Sequence, residues 1–484
     1  MTPKKILLFA LGPVGGALLG IISLPIIAWF FSQEDVGKMA LLQVLLSFAT
    51  LFFTLGLDQG YVREFHESLN KPQLLKTSVL PGFAVLLVSL MTCLLFGSFL
   101  SELVFSIQST FVSWMLAIAL LSSFLSRFLS LVLRMNERGL AFSMSQVLPK
   151  AFILLIILSY VQLDIGKTFE NLLLANTLSI VFAFLIFSWN ARTEWYLSFS
   201  CEIDIQQLRK MLRFGLPLIF SGIAFWGLTS VDRVMLSRWS NYNELAIYSV
   251  SVSFAAAATI FQSVFSTVWA PTVYKWVSNN EGHDKVIMVN RYVLMLVVIL
   301  FCLAGLLSWI VPLILPSEYT SVQWILVACI AYPLLYTLSE TTVVGIGISR
   351  KSSYAMLAAV LALLVNLLCN YFLIPLFGAA GAASSTAISF WFFLVCRTEF
   401  SIHVWRPMPR IALYSFTFLI VVGAVSVALL QEMIISLSYF YWFTLLFSCC
   451  YFFKYEFFTI FRNNINFYFL STPIDLIKCR TVIF

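Results

Sequence analysis

Apolar runs of about twenty residues follow one another almost from end to end of this chain, separated only by short polar stretches. That periodicity limits the possible folds more than any single motif. A run of this length suits a helix that crosses a bilayer, where backbone groups must be satisfied within helices or closed barrels. Strands of a barrel would need only about 9–11 residues each. With 61% hydrophobic and 11% charged residues among 484, a water-soluble fold could not hide the apolar surface. The expected class is an all-α polytopic membrane protein.

Fourteen spans are predicted, at 6–31, 39–57, 79–100, 110–132, 140–161, 171–189, 211–231, 245–269, 286–311, 321–347, 354–376, 380–396, 410–430 and 437–458. The first is read as a retained span, because its apolar run exceeds that of a secretory signal and no small-residue cleavage site closes it. Basic residues collect on alternate loops: Arg63, Arg134, Arg138, Lys210, Arg350, Arg397, Arg406 and Arg462 fall on one side. The other side carries only Lys38, Lys167 and Arg238, beside acids such as Glu34, Asp35, Glu244 and Glu318. The positive-inside rule then predicts that both termini are cytoplasmic. The net charge of +7 is thus a topology signal spread over short loops, which argues against nucleic acid as a partner.

Three segments recur in the same order. LLFALGPVGG (7–16) is echoed by LRFGLPLIFSG (212–222), and QEDVGKMALL (33–42) by YNELAIYSV (242–250). The stretch at 136–168 likewise parallels 349–382. Six spans per unit is an even number, so both units keep the same orientation, as parallel repeats do in transporters. The expected organisation is two six-helix lobes, 1–205 and 206–400, around a central cavity. A remainder, 401–484, supplies about two more helices and a cytoplasmic tail.

Charges inside apolar helices are costly, roughly 2.5–3.5 kcal/mol each on insertion scales, and so mark wet or paired sites. Lys150 lies near the middle of the fifth span and Glu340 inside the tenth; both are expected to face a central cavity, or else to pair with each other. Asp232 and Arg233 end the seventh span as an adjacent pair, read either as interfacial anchors or as cavity groups. Neighbours on a helix point about 100° apart, which favours different partners for the two. Arg127 in the fourth span and Arg63 after the second have the plainer reading of inside anchors. Asp58 caps or bridges the loop that it starts. If these groups share one cleft, Lys150, Arg233, Arg127 and Arg63 form a cationic surface for an anionic head such as a pyrophosphate. Glu340, Asp232 and Asp58 then serve in ion coupling or structural pairing.

Other chemistry is not signalled. The chain has no phosphate-binding G-x-x-x-x-G-K-[ST] loop and no G-x-S-x-G elbow. His66, His283 and His403 lack metal-site spacing, and nine scattered cysteines, Cys479 included, suit packing better than disulfides or zinc. No cofactor or metal is expected.

LGLDQGYVREFHE at the end of the second span, LRFGLPLIFSGIAFWGLTSVDRVML in the seventh and VWAPTVYKW after the eighth resemble the polysaccharide-exporting flippases of bacteria, of the O-antigen type. The larger superfamily holds multidrug and toxin extrusion proteins and the lipid II flippase. The resemblance covers roughly residues 1–400. It implies a V of two six-helix lobes with alternating access, in the bacterial inner membrane. The implied cargo is an undecaprenyl-pyrophosphate-linked glycan, and the implied companions are membrane lipids, a polysaccharide polymerase and a chain-length regulator. Asp232–Arg233 matches that family's charged pair at the end of the seventh span. Twelve spans are common in it, and the last two offer less to compare. Two further readings stand beside this one. A drug or cation antiporter of the same fold would favour a carboxylate-dominated cavity. A polysaccharide polymerase would be expected to carry a long outer loop with catalytic Arg or His.

Overall fold

In a computed structural model of the chain, residues 3–279 and 282–456 are described; Arg462, Cys479 and most of the expected tail lie outside them. Every regular element among the described residues is helical. Twelve helical stretches are long and apolar enough to cross a membrane. We number the crossing segments α1 (Pro3–Phe30), α2 (Gln33–Phe53), α3 (Lys71–Leu95), α4 (Thr110–Met135), α5 (Gly139–Gln162) and α6 (Phe169–Asn190). These form the first lobe. In the second, α7 (Ile205–Trp239), α8 (Tyr242–Ser278) and α9 (Gly282–Leu307) are followed by α10, broken into Val322–Cys329 and Ala331–Thr342.

The two remaining stretches each turn back on themselves, which reconciles twelve stretches with fourteen crossings. Ser352–Val404 has non-helical backbone at Gly378, φ 51° and ψ −123°. On either side, Asn366 Nδ2 donates to Ser389 Oγ at 3.3 Å, so 352–377 (α11) and 379–404 (α12) run antiparallel. Only glycine takes that φ without strain, and a Cβ at 378 would lie 2.5 Å from Glu244 Oε2. The same carboxylate accepts from Ala379 N at 2.8 Å, tying the turn to the start of α8. α13 (Ile411–Leu430) and α14 (Ile435–Phe452) form the second hairpin. There Tyr441 Oη donates to Leu419 O at 2.6 Å.

This last pair packs on the second lobe, against α9, α10 and α12. Trp391 Nε1 donates to Thr417 Oγ1 at 3.1 Å, and Arg291 bridges Glu456 at 2.6 Å. Bulky apolar groups such as Leu95, Phe220 and Leu376 remain exposed, as a lipid-facing surface requires.

The ends of the molecule differ in charge. We call the end holding Glu34, Asp35 and Glu244 the acidic end, and the end holding Arg63, Arg134 and Lys210 the basic end. Segments that the internal repeat pairs meet at the acidic end: a Cβ on Gly37 of α2 would lie 2.0 Å from Tyr242 O at the start of α8. Arg238 reaches Leu103 O at 2.6 Å, Gln33 reaches Glu318 O at 2.6 Å, and Trp29 reaches Ile314 O at 2.9 Å. Each is a side chain of one lobe donating to the backbone of the other. Towards the basic end Gly56, at φ 68°, lies against Gly215 of α7; a Cβ on either would come within 2.5 Å of the other's carbonyl oxygen.

Helix boundaries differ from the sequence expectation in one informative way. α7 and α8 run 35 and 37 residues, past the charges where the apolar windows stopped. Asp232 therefore sits two turns inside the end of α7 instead of closing it. Arg397, expected in a loop, lies inside α12 with its side chain 10% exposed, because Glu340 neutralises it there.

Candidate functional site

Between the lobes, α1, α2, α5, α6, α7 and α8 wall a cleft of about 560 Å³. A second compartment of about 540 Å³ adjoins it inside the first lobe, lined by α2, the short helix Leu57–Glu64, α4, α5 and α6. Gln43, Ser47, Gln146, Pro149 and Ile180 border both. The larger compartment holds Lys150 and Arg233; the other, nearer the basic end, holds Arg127 and Asp58.

Lys150 follows Pro149 on α5. Its Nζ donates to Gly16 O of α1 at 2.5 Å, and a Cβ on Gly20 would stand 2.9 Å from that nitrogen. Arg233 projects from α7 into the same space, with its guanidinium 5.7 Å from the centre of the Tyr248 ring.

Asp232 points elsewhere. Fully buried, its carboxylate accepts from Tyr248 Oη at 2.8 Å, Thr386 Oγ1 at 2.5 Å and Asn370 Nδ2 at 2.6 Å. Asn370 Nδ2 also donates to Asn366 Oδ1 at 2.9 Å, while Asn370 Oδ1 is buried with no partner. The result is an oxygen-rich nest among α7, α8, α11 and α12.

Arg127 Nη2 bonds Asp58 Oδ2 at 2.7 Å, with the arginine side chain 41% exposed and the aspartate 9%. Gln59 Nε2 adds a bond to the same oxygen at 3.2 Å. Three basic groups thus face one carboxylate in the lining, and the cleft is net cationic.

The structure brings Lys150, Arg233, Arg127 and Asp58 together, and keeps the other three apart from them. Arg63 lies over the Phe214 ring at 4.3 Å, in the short helix Leu57–Glu64 that packs on α7. There it sits beside Glu64, which Lys210 holds at 2.7 Å. It borders neither compartment. Glu340 bonds neither Lys150 nor the cleft; it pairs with Arg397 at 2.9 Å, and Arg397 also donates to Ser339 Oγ at 2.6 Å. That arginine lies over Tyr336 and Phe393, at 5.2 and 5.0 Å from their centres. A buried pair with these extra contacts is a structural clasp between α10 and α12. Asp232, as described, is sealed behind the wall rather than lining the mouth.

Sequence reasoning missed Tyr248, Asn366, Asn370 and Thr386. Two asparagines spaced i, i+4 in the apolar stretch LALLVNLLCNYFLIP were the available signal, since amides are costly in lipid without partners.

The sequence profile of a family described as "Polysaccharide biosynthesis protein" matches residues 3–277. A relative named "Probable low-salt glycan biosynthesis flippase Agl15", from Haloferax volcanii, is 22% identical over 192 residues, 39% of this chain and 40% of that protein. The match thus spans well under half the length of that relative. Among solved structures, the lipid II flippase MurJ in an inward closed conformation superposes with a TM-score of 0.68 at 13% identity. That superposition covers 93% of this chain and 100% of the other. VcmN, a Vibrio cholerae MATE transporter, gives 0.56 at 14% identity, over 82% of this chain and 95% of its own. Both share this two-lobed helical fold.

Proposed function

The chain belongs to the polysaccharide biosynthesis protein family, and from that premise we propose that it is a flippase for a lipid-linked oligosaccharide. The observation that carries this reading is the cationic cleft between two lobes, lined by Lys150 and Arg233, with Arg127 in the first-lobe compartment that adjoins it. A head group with a pyrophosphate would find there both bidentate arginine donors and a lysine point charge. Its lipid tail stays outside, against the apolar surface. The proposed cargo is an undecaprenyl-pyrophosphate-linked repeat unit of the O-antigen type, carried from the cytoplasmic to the periplasmic leaflet.

In this reading both termini are cytoplasmic, in a bacterial inner membrane, and the lobes divide near residues 205 and 400. A polysaccharide polymerase and a chain-length regulator would act on the product. Contacts already described support alternating access: the acidic end is closed by Gly37 against Tyr242, and opening requires that contact to part. We assign ion coupling to Asp232. A buried carboxylate next to an unpartnered amide oxygen offers oxygen ligands for a small cation, or a site for a proton. Arg63 and Glu340 take structural roles here, and Asp58 sets the orientation of Arg127.

A cation or drug antiporter is the second reading, and the buried Asp232 is the observation in its favour. The cleft itself counts against it, since a cationic wall repels cationic drugs. To decide, the purified protein is placed in liposomes with a fluorescent polyprenyl-pyrophosphate glycan, and leaflet exchange is followed by quenching. Exchange above that of empty liposomes is expected. If a cationic dye is transported instead and the glycolipid stays in its leaflet, the antiporter reading replaces this one.

A further inference from the structure

Trp226 shares a helix face with the cleft's arginine. It stands at i, Ser230 at i+4 and Arg233 at i+7 on α7, so all three project to one side. Ser230 and Arg233 both line the larger compartment. Trp226 is only partly buried, unlike tryptophans sealed in the core such as Trp442. Its indole Nε1 donates to Ser47 Oγ of the opposite lobe at 3.0 Å, and Ser47 borders both compartments. One side of the indole is backed by Phe48, ring centres 4.7 Å apart at 48°. The tryptophan is therefore fixed in orientation at the edge of the cleft, against a residue that borders both compartments.

The surrounding polar groups are neutral amides. Gln43 and Gln146 border both compartments, and Gln43 Nε2 donates to Asn176 Oδ1 at 3.2 Å. Asn176 lines the larger compartment, yet its Nδ2 is buried without a partner. A rigid aromatic plane at the edge of a cleft bordered by neutral amides, one of them with an unsatisfied donor, suits a polyol whose C–H face can lie flat on the ring while its hydroxyls meet the amides. Seven residues along a helix amount to roughly 10 Å, about the length of a pyrophosphate and one sugar ring.

We infer that Trp226 is a sugar-stacking platform, positioned to hold the first sugar of the cargo while Lys150 and Arg233 hold its anion. The inference rests on the lipid-linked glycan reading and adds to it the part of the cleft that distinguishes a glycosylated lipid from a bare one.

The test compares binding of two lipids to the purified full chain: a polyprenyl pyrophosphate bearing one N-acetylhexosamine, and the same lipid without sugar. The unsubstituted protein should bind the glycosylated lipid about tenfold tighter, the scale of one aromatic contact. Trp226→Ala should abolish that preference while leaving affinity for the bare lipid unchanged. Trp226→Phe should keep most of the preference, and Ser47→Ala should reduce it, since the indole then loses its anchor. Equal affinity of the unsubstituted protein for both lipids would overturn the inference while the flippase reading survives. So would a Trp226→Ala protein that keeps the preference, or one that loses both lipids equally. If neither lipid binds the unsubstituted protein, the lipid-linked cargo reading falls and the platform falls with it.

Discussion

Asp232 and Arg233 are neighbours in the chain but belong to different sites: the carboxylate is sealed among Tyr248, Asn370 and Thr386, while the guanidinium faces the inter-lobe cleft. The roughly 100° between successive helical residues produces this division. One turn of α7 thus presents an acid to the interior of the second lobe and a base to the space between lobes. Any shift of α7 moves both groups together.

Removing a cleft cation should weaken transport without unfolding the protein. Lys150→Ala and Arg233→Ala are each expected to lower glycolipid exchange by about ten- to a hundredfold, the scale of one charge-assisted contact. Protein levels in the membrane should stay near those of the parent. Exchange at the parental rate in both variants would remove the cleft from the mechanism.

Asp232→Asn separates coupling from cargo binding. The amide keeps the size of the carboxylate but loses the charge and one acceptor oxygen. Affinity for the glycolipid should change little, whereas dependence of its transport on a proton or sodium gradient should disappear. An unchanged gradient response would assign coupling elsewhere.

Glu340 was expected from sequence to face the cavity, and its pairing with Arg397 alters what its replacement should do. Glu340→Gln leaves a buried arginine without its counter-charge, a loss of roughly 3–5 kcal/mol. A large drop in melting temperature is expected, with little effect on ion dependence in whatever protein remains folded. The double variant Glu340→Gln, Arg397→Met should recover most of the stability. Thermal unfolding of the three proteins in detergent decides it.

Gly37→Val addresses the closure at the acidic end. No side chain fits at 37 while Tyr242 O stays where it is. The variant should favour a conformation open at that end. A cysteine placed at Ser230 in a background without reactive native cysteines should then label faster with a membrane-impermeant thiol reagent added on that side. Labelling at the parental rate would show that the contact does not gate the cleft.

Hydropathy made the helical class and most of the apolar helices legible, because lipid leaves the backbone few alternatives. One cleft cation was legible for a related reason. Lys150 stands where an unpaired charge is expensive, so a wet environment was the economical explanation, whereas Arg127 read more plainly as an inside anchor and instead pairs with Asp58. Glu340 obeyed the same rule by another route: its partner lies 57 positions away on α12, and hydropathy had assigned that partner to a loop. A periodic pattern within one span carries no record of which distant span it will meet. Trp226 shows the converse limit. In an apolar helix rich in aromatics its composition is unremarked, and only the contact with Ser47 distinguishes it from lipid-facing rings.

The lobes approach main chain to main chain at Gly37 against Tyr242 and at Gly56 against Gly215, and neither contact uses a residue of the cleft wall. Articulation and recognition are therefore written in separate letters of the sequence. Natural drift can rewrite the lining for a new saccharide, one side chain at a time, while the points where the closed halves meet admit not even an added methyl group.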